Sequence, residues 1–318
     1  MLNSGPVLAA NRGTSARLRP SINAWQRLTY SDAFWAYLFL LPALVGLVGL
    51  TLGPILAALG FSLSVWNIVD APRWVGLANY RALAAEPLFW KALGNTFRYM
   101  VGAIPTEMVI SLALALALNQ GRRLEVVFRT IYFVPTVCSG VALALVWRLI
   151  FDLRMGMLNQ VLGYFGLDPV PWLMTPRTAM PAVIIMSVWR GVGYPVILWL
   201  AALQGVPQVY YDAAQVDGAG RWARFRYVTW PFVTPTAFFM LIMDIIASFQ
   251  VFQQTFVLTN GGPRWSTYTL VFYIYERAFR LFAVGDACAV AYVLFVLILL
   301  LTTVQFWLQK RWVHYELA

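Results

Sequence analysis

The chain has 318 residues, of which 61% are hydrophobic, 16% aromatic and only 11% charged, with a mean hydropathy of +0.69 and a formal net charge of +10. That balance excludes an ordinary soluble domain and points to an all-α integral membrane protein. The arginines lie scattered between apolar runs, not on one soluble face, which argues against nucleic acid and for the anionic headgroups of a lipid bilayer.

Residues 1–32, rich in Ser, Arg, Asn and Gly, show no periodic apolar face and read as a mobile, basic cytoplasmic tail, which leaves 33–318 as the membrane body. A hydrocarbon core about 30 Å thick needs about 20 apolar residues as helix. Six runs meet that requirement and predict six transmembrane helices: Phe34–Val65, Leu93–Leu118, Thr130–Phe151, Ala179–Leu203, Thr234–Leu258 and Ala287–Leu308. The first is too long, and starts too far into the chain, for a cleaved signal peptide. Pro42 and Pro54 lie inside it and predict a tilted or kinked helix. Cys138 and Cys288 fall within apolar runs as small fillers, and His314 stands near the end of the chain, so neither a disulfide framework nor a metal site is expected.

Six crossings put both termini on one side. With the N-terminus inside, the cytoplasmic ends carry Arg12, Arg17, Arg19, Arg27, Arg122, Arg123, Arg129, Arg221, Arg224, Arg226, Lys310 and Arg311. This is a modest excess over Arg73, Arg81, Lys91, Arg98, Arg154, Arg177, Arg264, Arg277 and Arg280 on the other side. An N-in, C-in protein of a bacterial inner membrane is expected, with 66–92, 152–178 and 259–286 facing outward.

Polar and aromatic side chains inside a span are costly unless they face a cavity or a partner. The fourth span holds Trp189, Arg190, Gly191 and Tyr194; the fifth holds Asp244, Ser248, Gln250, Gln253 and Gln254, of which the last three share a helical face. Amides and hydroxyls suit the hydroxyl rim of a sugar, and an aromatic face suits its C–H surface. The same residues serve equally as interhelical hydrogen-bonding glue. Arg190 either meets an anionic solute or pairs with Glu107 or Asp244, and the cost of an unpaired charge in a membrane favours pairing.

Between these spans, Pro207 stops the fourth, Gln208–Val216 fits a short helix with Val209, Ala213 and Val216 on one face, and Gly218 permits a left-handed turn. Ala213 and Ala214 let another surface approach, and Asp212 and Asp217 offer carboxylates to it. An amphipathic connector resting on lipid headgroups is the competing reading.

The run DAAQVDGAGRWARFRYVTWPFVTP, Asp212 to Pro235, resembles the cytoplasmic signature of ABC-importer permeases, with Asp212, Ala213, Ala214, Asp217, Gly218, Ala219, Phe225, Pro231 and Pro235 in matching order and spacing. LTNGGP at Leu258–Pro263, NTFRY at Asn95–Tyr99 and FVP at Phe133–Pro135 extend the resemblance to the carbohydrate-type permeases of maltose, lactose and glycerol-3-phosphate importers. Asp212 stands where that pattern usually has Glu. The resemblance implies a second homologous permease, two ATPase subunits carrying ATP and Mg, and an extracytoplasmic solute-binding protein, with residues 208–220 as the helix that couples to the ATPase. It also implies solute contacts at WRGVGY, Trp189–Tyr194, and around Ser248. The chain itself is expected to bind no cofactor and to be no enzyme: its lysines are Lys91 and Lys310, neither in a phosphate loop, and no catalytic constellation is visible. The remaining alternative is an ion-coupled secondary transporter using Glu107, Arg190 and Asp244.

Overall fold

The computed structural model describes residues 32–119 and 125–315. The expected N-terminal tail lies outside the described residues apart from Asp32, as do Arg122 and Arg123. The chain falls into two compact units that divide between Ala57 and Ala58.

In the first unit, α1 (Asp32–Gly46) contains Pro42 and passes into a π-helical turn, Leu47–Leu52, before α2 (Gly53–Ser62). Pro54 has no N–H for the Leu50 carbonyl, and a wider turn just before a proline is one way a helix absorbs that loss.

The second unit continues with a two-stranded antiparallel ribbon, β1 (Ser64–Val65) and β2 (Arg73–Trp74), and a short α3 (Ala78–Ala85). Helix α4 (Pro87–Leu118) starts with Pro87 in its first turn, where a missing N–H costs nothing. Its 32 residues reach about 48 Å, more than the hydrocarbon thickness. The third apolar run is two helices, α5 (Glu125–Val137) and α6 (Gly140–Ile150), with a 109° bend between them. After α7 (Met157–Tyr164), the fourth run is also broken, into α8 (Ala179–Gly191) and α9 (Gly193–Gln204), bent by 49°. Pro195 explains this bend, since it has no N–H for the Gly191 carbonyl one turn back.

Short helices α10 (Gln208–Val216) and α11 (Arg221–Arg224) and a π turn, Phe225–Thr229, lead into α12 (Trp230–Phe249). The fifth predicted run therefore ends earlier than Leu258: Gln250 to Phe252 leave the helix, and α13 (Gln253–Thr259) begins afresh. Helix α14 (Leu270–Tyr275), a π turn at Glu276–Arg280 and α15 (Val284–Leu308) complete the fold. Among the described residues, four helical stretches are long and apolar enough to cross a membrane, and up to six if each bent pair counts as one span. The fold is thus mostly helical and multi-pass, and the third, fourth and fifth of the six predicted helices are broken.

Helix α4 contributes to all three buried apolar clusters of this unit. Near its start, Phe89 and Ala92 pack with Phe249, Tyr268, Phe272, Tyr273 and Val290. In its middle, Tyr99 and Ala103 meet Trp147, Phe151, Val183 and Met186. Toward its end, Ala115 and Leu118 meet Val196, Trp199, Leu200, Val233 and Met240.

The motif NTFRY and the stretch that follows LTNGGP, far apart in the chain, are partners in space. Asn95 is buried, and its amide donates to the carbonyls of Trp265, at 2.7 Å, and Tyr268, at 3.0 Å. The Leu270 N–H donates to Thr96 Oγ1 at 3.0 Å, and Lys91 Nζ to the Arg264 carbonyl at 2.6 Å. Asn260, Arg264 and Trp265 have positive φ and Gly262–Pro263 is cis; the stretch turns on itself through the Gly262 N–H to the Thr259 carbonyl at 2.9 Å and the Ser266 N–H to the Pro263 carbonyl at 3.0 Å. Beside it, Glu86 accepts from Arg277 Nη2 at 2.5 Å and from Tyr273 Oη at 2.6 Å, which ties the start of α4 to α14 and its π turn. Burial pushes the Tyr268 hydroxyl well above the usual phenol range, and its hydrogen bond to Glu276 adds to the effect.

Asn95→Ala would remove the Asn95 donor from the buried Tyr268 carbonyl and leave the partly buried Trp265 carbonyl only the Tyr268 N–H at 3.4 Å. It is expected to lower stability by about 1–3 kcal/mol, read as a reduced thermal midpoint of the detergent-solubilised protein, with Asn95→Asp also failing to restore the wild-type value.

Candidate functional site

A polar cavity of about 450 Å³ opens where α4, α8 and α12 converge. Each wall contributes side chains four residues apart, the spacing that puts them on one helical face. Tyr99, Ala103 and Glu107 come from α4, Ser187 and Gly191 from α8 with Arg190 beside them, and Asp244 and Ser248 from α12. Thr136 of α5 and the stretch Gln250–Gln254 complete the lining.

Glycines let the walls close. A Cβ at Gly140 would lie 3.0 Å from the Arg190 guanidinium carbon and 3.0 Å from the Gln253 amide carbon. A Cβ at Gly191 would meet Glu107 Oε1 at 2.5 Å, and one at Gly193 would press on the Tyr132 carbonyl carbon at 2.8 Å. Breaking the third run at Cys138–Ser139 brings Gly140 against Arg190, and Thr136 Oγ1 fastens the two segments by donating to the Arg190 carbonyl at 3.0 Å.

The electrostatics of this cavity differ from expectation. Among the described residues the ion pairs are Arg277–Glu86, Arg277–Asp286 and Arg280–Glu276; Arg190 makes none with Glu107 or Asp244 within 4.0 Å. Ser187 Oγ, Arg190 Nε and Asp244 Oδ2 are buried with no hydrogen-bond partner among the described residues. A buried polar atom left so costs about 1–3 kcal/mol, so these groups are poised to accept a hydrogen-bonding guest.

Of the residues expected from sequence, Arg190, Gly191, Ser248, Gln250 and Gln253 line this cavity, together with Gln254. The three glutamines do not share a helical face, because Gln250 lies past the end of α12 and the other two belong to α13. Trp189 faces elsewhere: its ring meets Trp147 edge-on at 5.4 Å and lines a separate apolar cavity of about 550 Å³ with Ile131, Pro135 and Val188. Adjacent helical residues point about 100° apart, and here that step turns Trp189 into the apolar cavity while Arg190 lines the polar one. Tyr194 lies beyond the bend, half exposed, and lines neither cavity. Sequence reasoning named Asp244 among the polar residues of the fifth span, and it lines the cavity; Tyr99, Thr136 and Ser187 were missed as lining residues, and Glu107 was considered only as a partner for Arg190 or an ion-coupling group. The four-residue spacing 99/103/107 and 244/248 was the available signal.

The second candidate region is α10. Pro207 stands at its N-terminus in an extended conformation, and its C-terminus closes by a left-handed Gly218, φ 75°. The Gly218 N–H donates to the Gln215 carbonyl at 3.1 Å and the Ala219 N–H to the Ala214 carbonyl at 2.8 Å. This pair is the Schellman arrangement that glycine favours. Asp212, Ala213, Asp217 and Gly218 are exposed, and Ala214 and Ala219 half-buried. Val209 is 65% and Val216 88% exposed, so the Val209–Ala213–Val216 stripe is uncovered. On the opposite side Tyr211 Oη lies 2.9 Å from Thr229 Oγ1, and the Tyr210 ring packs on Phe232 at 4.9 Å, which fastens α10 to α12 and the turn before it.

Residues 108–314, which hold most of the cavity and all of α10, match the family described as the binding-protein-dependent transport system inner membrane component. The chain belongs to this family. Its relatives include the probable ABC transporter permease protein YesP of Bacillus subtilis (strain 168), 34% identical over 290 residues, covering 90% of this chain and 93% of that protein. The lactose transport system permease protein LacF of Rhizobium radiobacter is 35% identical over 281 residues, covering 86% and 94%. The fold is that of a chain in the crystal structure of a bacterial alginate ABC transporter in complex with alginate pentasaccharide-bound periplasmic protein. The two superpose with a TM-score of 0.79 at 22% identity, over 91% of this chain and 97% of that one. This protein is accordingly a membrane-embedded ABC transporter permease.

Gly140→Ala adds a methyl where the Arg190 and Gln253 side chains must pass. It is expected to displace both and to lower solute uptake about tenfold, corresponding to overpacking of about 1.4 kcal/mol, while the amount of permease inserted in the membrane stays at the wild-type level.

Proposed function

We propose that this permease carries a sugar or oligosaccharide into the cytoplasm by alternating access, with the polar cavity on the solute path. The observation that carries this reading is the cavity itself: amides, hydroxyls and charged groups from α4, α8 and α12, several of them unpartnered, surround about 450 Å³ inside a binding-protein-dependent permease. Such a lining matches a polyhydroxylated solute, whose many donors and acceptors need partners once water is stripped away. Relatives named for lactose and for trehalose and maltose support the same class. Arg190, Ser248, Gln250 and Gln253, with Glu107, Asp244 and Tyr99, would supply hydrogen bonds, while Gly191 makes room. Trp189 and Tyr194 would act outside the polar cavity, at a surface toward the lipid or another subunit. The secondary-transporter alternative has no support from a family whose description names a binding protein.

Six crossings with both termini inside would place α10 in the cytoplasm, where it would be the coupling helix. Its exposed Val209–Ala213–Val216 stripe gives a partner an apolar seat, and Asp212 and Asp217 give it carboxylates. The partner would be one of two ATPase subunits holding ATP and Mg. A second homologous permease would complete the membrane core, and an extracytoplasmic solute-binding protein would deliver the sugar. The left-handed Gly218 and its paired hydrogen bonds make the helix a rigid lever, so movement of the ATPase would pass through Tyr211 and Tyr210 to α12, which carries Asp244 and Ser248.

The test is coupling. Gly218→Val forces a β-branched residue into a left-handed conformation at about 1–2 kcal/mol, and Asp217→Ala removes a carboxylate from the docking surface. In proteoliposomes with the partner subunits, both variants are expected to retain ATP hydrolysis while sugar uptake falls at least about tenfold. Wild-type uptake per ATP in both would remove α10 from the coupling path.

A further inference from the structure

Downstream of α10 the chain carries Arg221, Arg224 and Arg226, and none of the three makes an ion pair within 4.0 Å among the described residues. Trp222 is 74% exposed and Tyr227 76%, and the Arg226 guanidinium lies 5.7 Å from the Tyr227 ring. Arginine beside exposed Trp and Tyr, next to a spanning helix, is the composition of a membrane–water boundary.

Arg226 also sits at the rim of an apolar groove of about 540 Å³. One wall is α4 between Pro105 and Leu112, about 10 Å of helix. Trp199, Phe225 and Trp230 form the others, and Arg226 is the one charged residue of the lining. Within the groove the Trp199 Nε1–H is already given to Ser111 Oγ at 3.1 Å. Val109, on the α4 wall, is 67% exposed.

From this juxtaposition we propose that the groove and Arg226 form a binding site for an anionic phospholipid, with one acyl chain against the α4 wall and the phosphate on the Arg226 guanidinium, helped by Arg224 and Arg221. A phospholipid is the ligand that joins an anion directly to hydrocarbon. A soluble anion would use the arginines and leave the groove, whereas an apolar protein segment would fill the groove and leave the arginines unpaired. The site requires only that residues 221–230 lie at a bilayer surface, so it holds for either orientation of the chain. It would tie the segment between α10 and α12 to the bilayer, so that the stretch leading into α12 rests on lipid.

The experiment uses the full-length permease, in the assembly with which it purifies, reconstituted in nanodiscs of phosphatidylcholine with phosphatidylglycerol and then extracted for native mass spectrometry. Wild-type protein is expected to retain phosphatidylglycerol in preference to phosphatidylcholine. Arg226→Gln should lose about fivefold of it, the equivalent of about 1 kcal/mol for one arginine at a charged surface, and Arg226→Lys should keep most. Val109→Trp, which fills the groove and leaves the arginines in place, should lose retained lipid as well. Wild-type retention in both Arg226→Gln and Val109→Trp would overturn the proposal. Retention in Val109→Trp alone, or displacement of the lipid by millimolar inorganic phosphate, would reduce the site to an anion patch and overturn it too. Equal retention of the two lipids would do the same, as would cross-linking from Val109→Cys to a polypeptide instead of to lipid.

Discussion

A bilayer supplies no water to a stray backbone group, so within it each N–H and C=O must be satisfied by the chain. That constraint produces the long apolar helices, and it also makes each interruption of a helix informative. In this permease the interruptions are local and have chemical causes. A proline removes a donor at Pro54 and at Pro195, and the adjoining helix answers with a π turn in one place and a 49° bend in the other. The 109° break at Cys138–Ser139 and the end of α12 at Phe249 both occur beside the polar cavity, where freed backbone and polar side chains have company.

The cavity depends on these breaks. A straight third span would carry Gly140 past Arg190, and the break after Phe249 takes Gln250 out of the helix while Gln253 and Gln254 begin the next one. Helix α4 is the fixed reference, since its successive faces pack into all three apolar clusters and its four-residue series Tyr99, Ala103 and Glu107 crosses the cavity wall. At one end, Asn95 and Thr96 hold Trp265, Tyr268 and Leu270, just past the cis proline, so segments about 170 residues apart make one joint. The lower, more apolar part of the same helix forms the groove beneath Arg226.

Much of this was legible in the sequence. The apolar runs marked where the long apolar helices lie, because hydropathy over about 20 residues is set by the bilayer and by little else, though the third and fourth are bent pairs and the fifth ends at Phe249 and not at Leu258. The boundaries of α10 and its left-handed glycine followed from Pro207 and Gly218, which act through their own backbones. Residues of the cavity were less legible. Ser248, Gln250 and Gln253 were recognised because polar groups in a span are costly, but Trp189 and Tyr194 were assigned to the same surface although one helical step turns a side chain by about 100°. Glu107 and Asp244 were visible as charges, yet the pairing expected for Arg190 does not form.

The sequence by itself determined the membrane class, the number of apolar runs, the exposed helix between the fourth and fifth, and the family signature. Each of these rests on local chemistry: hydropathy, a missing N–H, or a glycine able to take a positive φ. Tertiary structure alone decided where the third run breaks, which polar residues share a cavity, that Asn95 serves Trp265 and Tyr268, and that Arg226 borders an apolar groove. These depend on which helix faces meet at close range, and the contacts between them join residues too far apart in the chain for any local pattern to record.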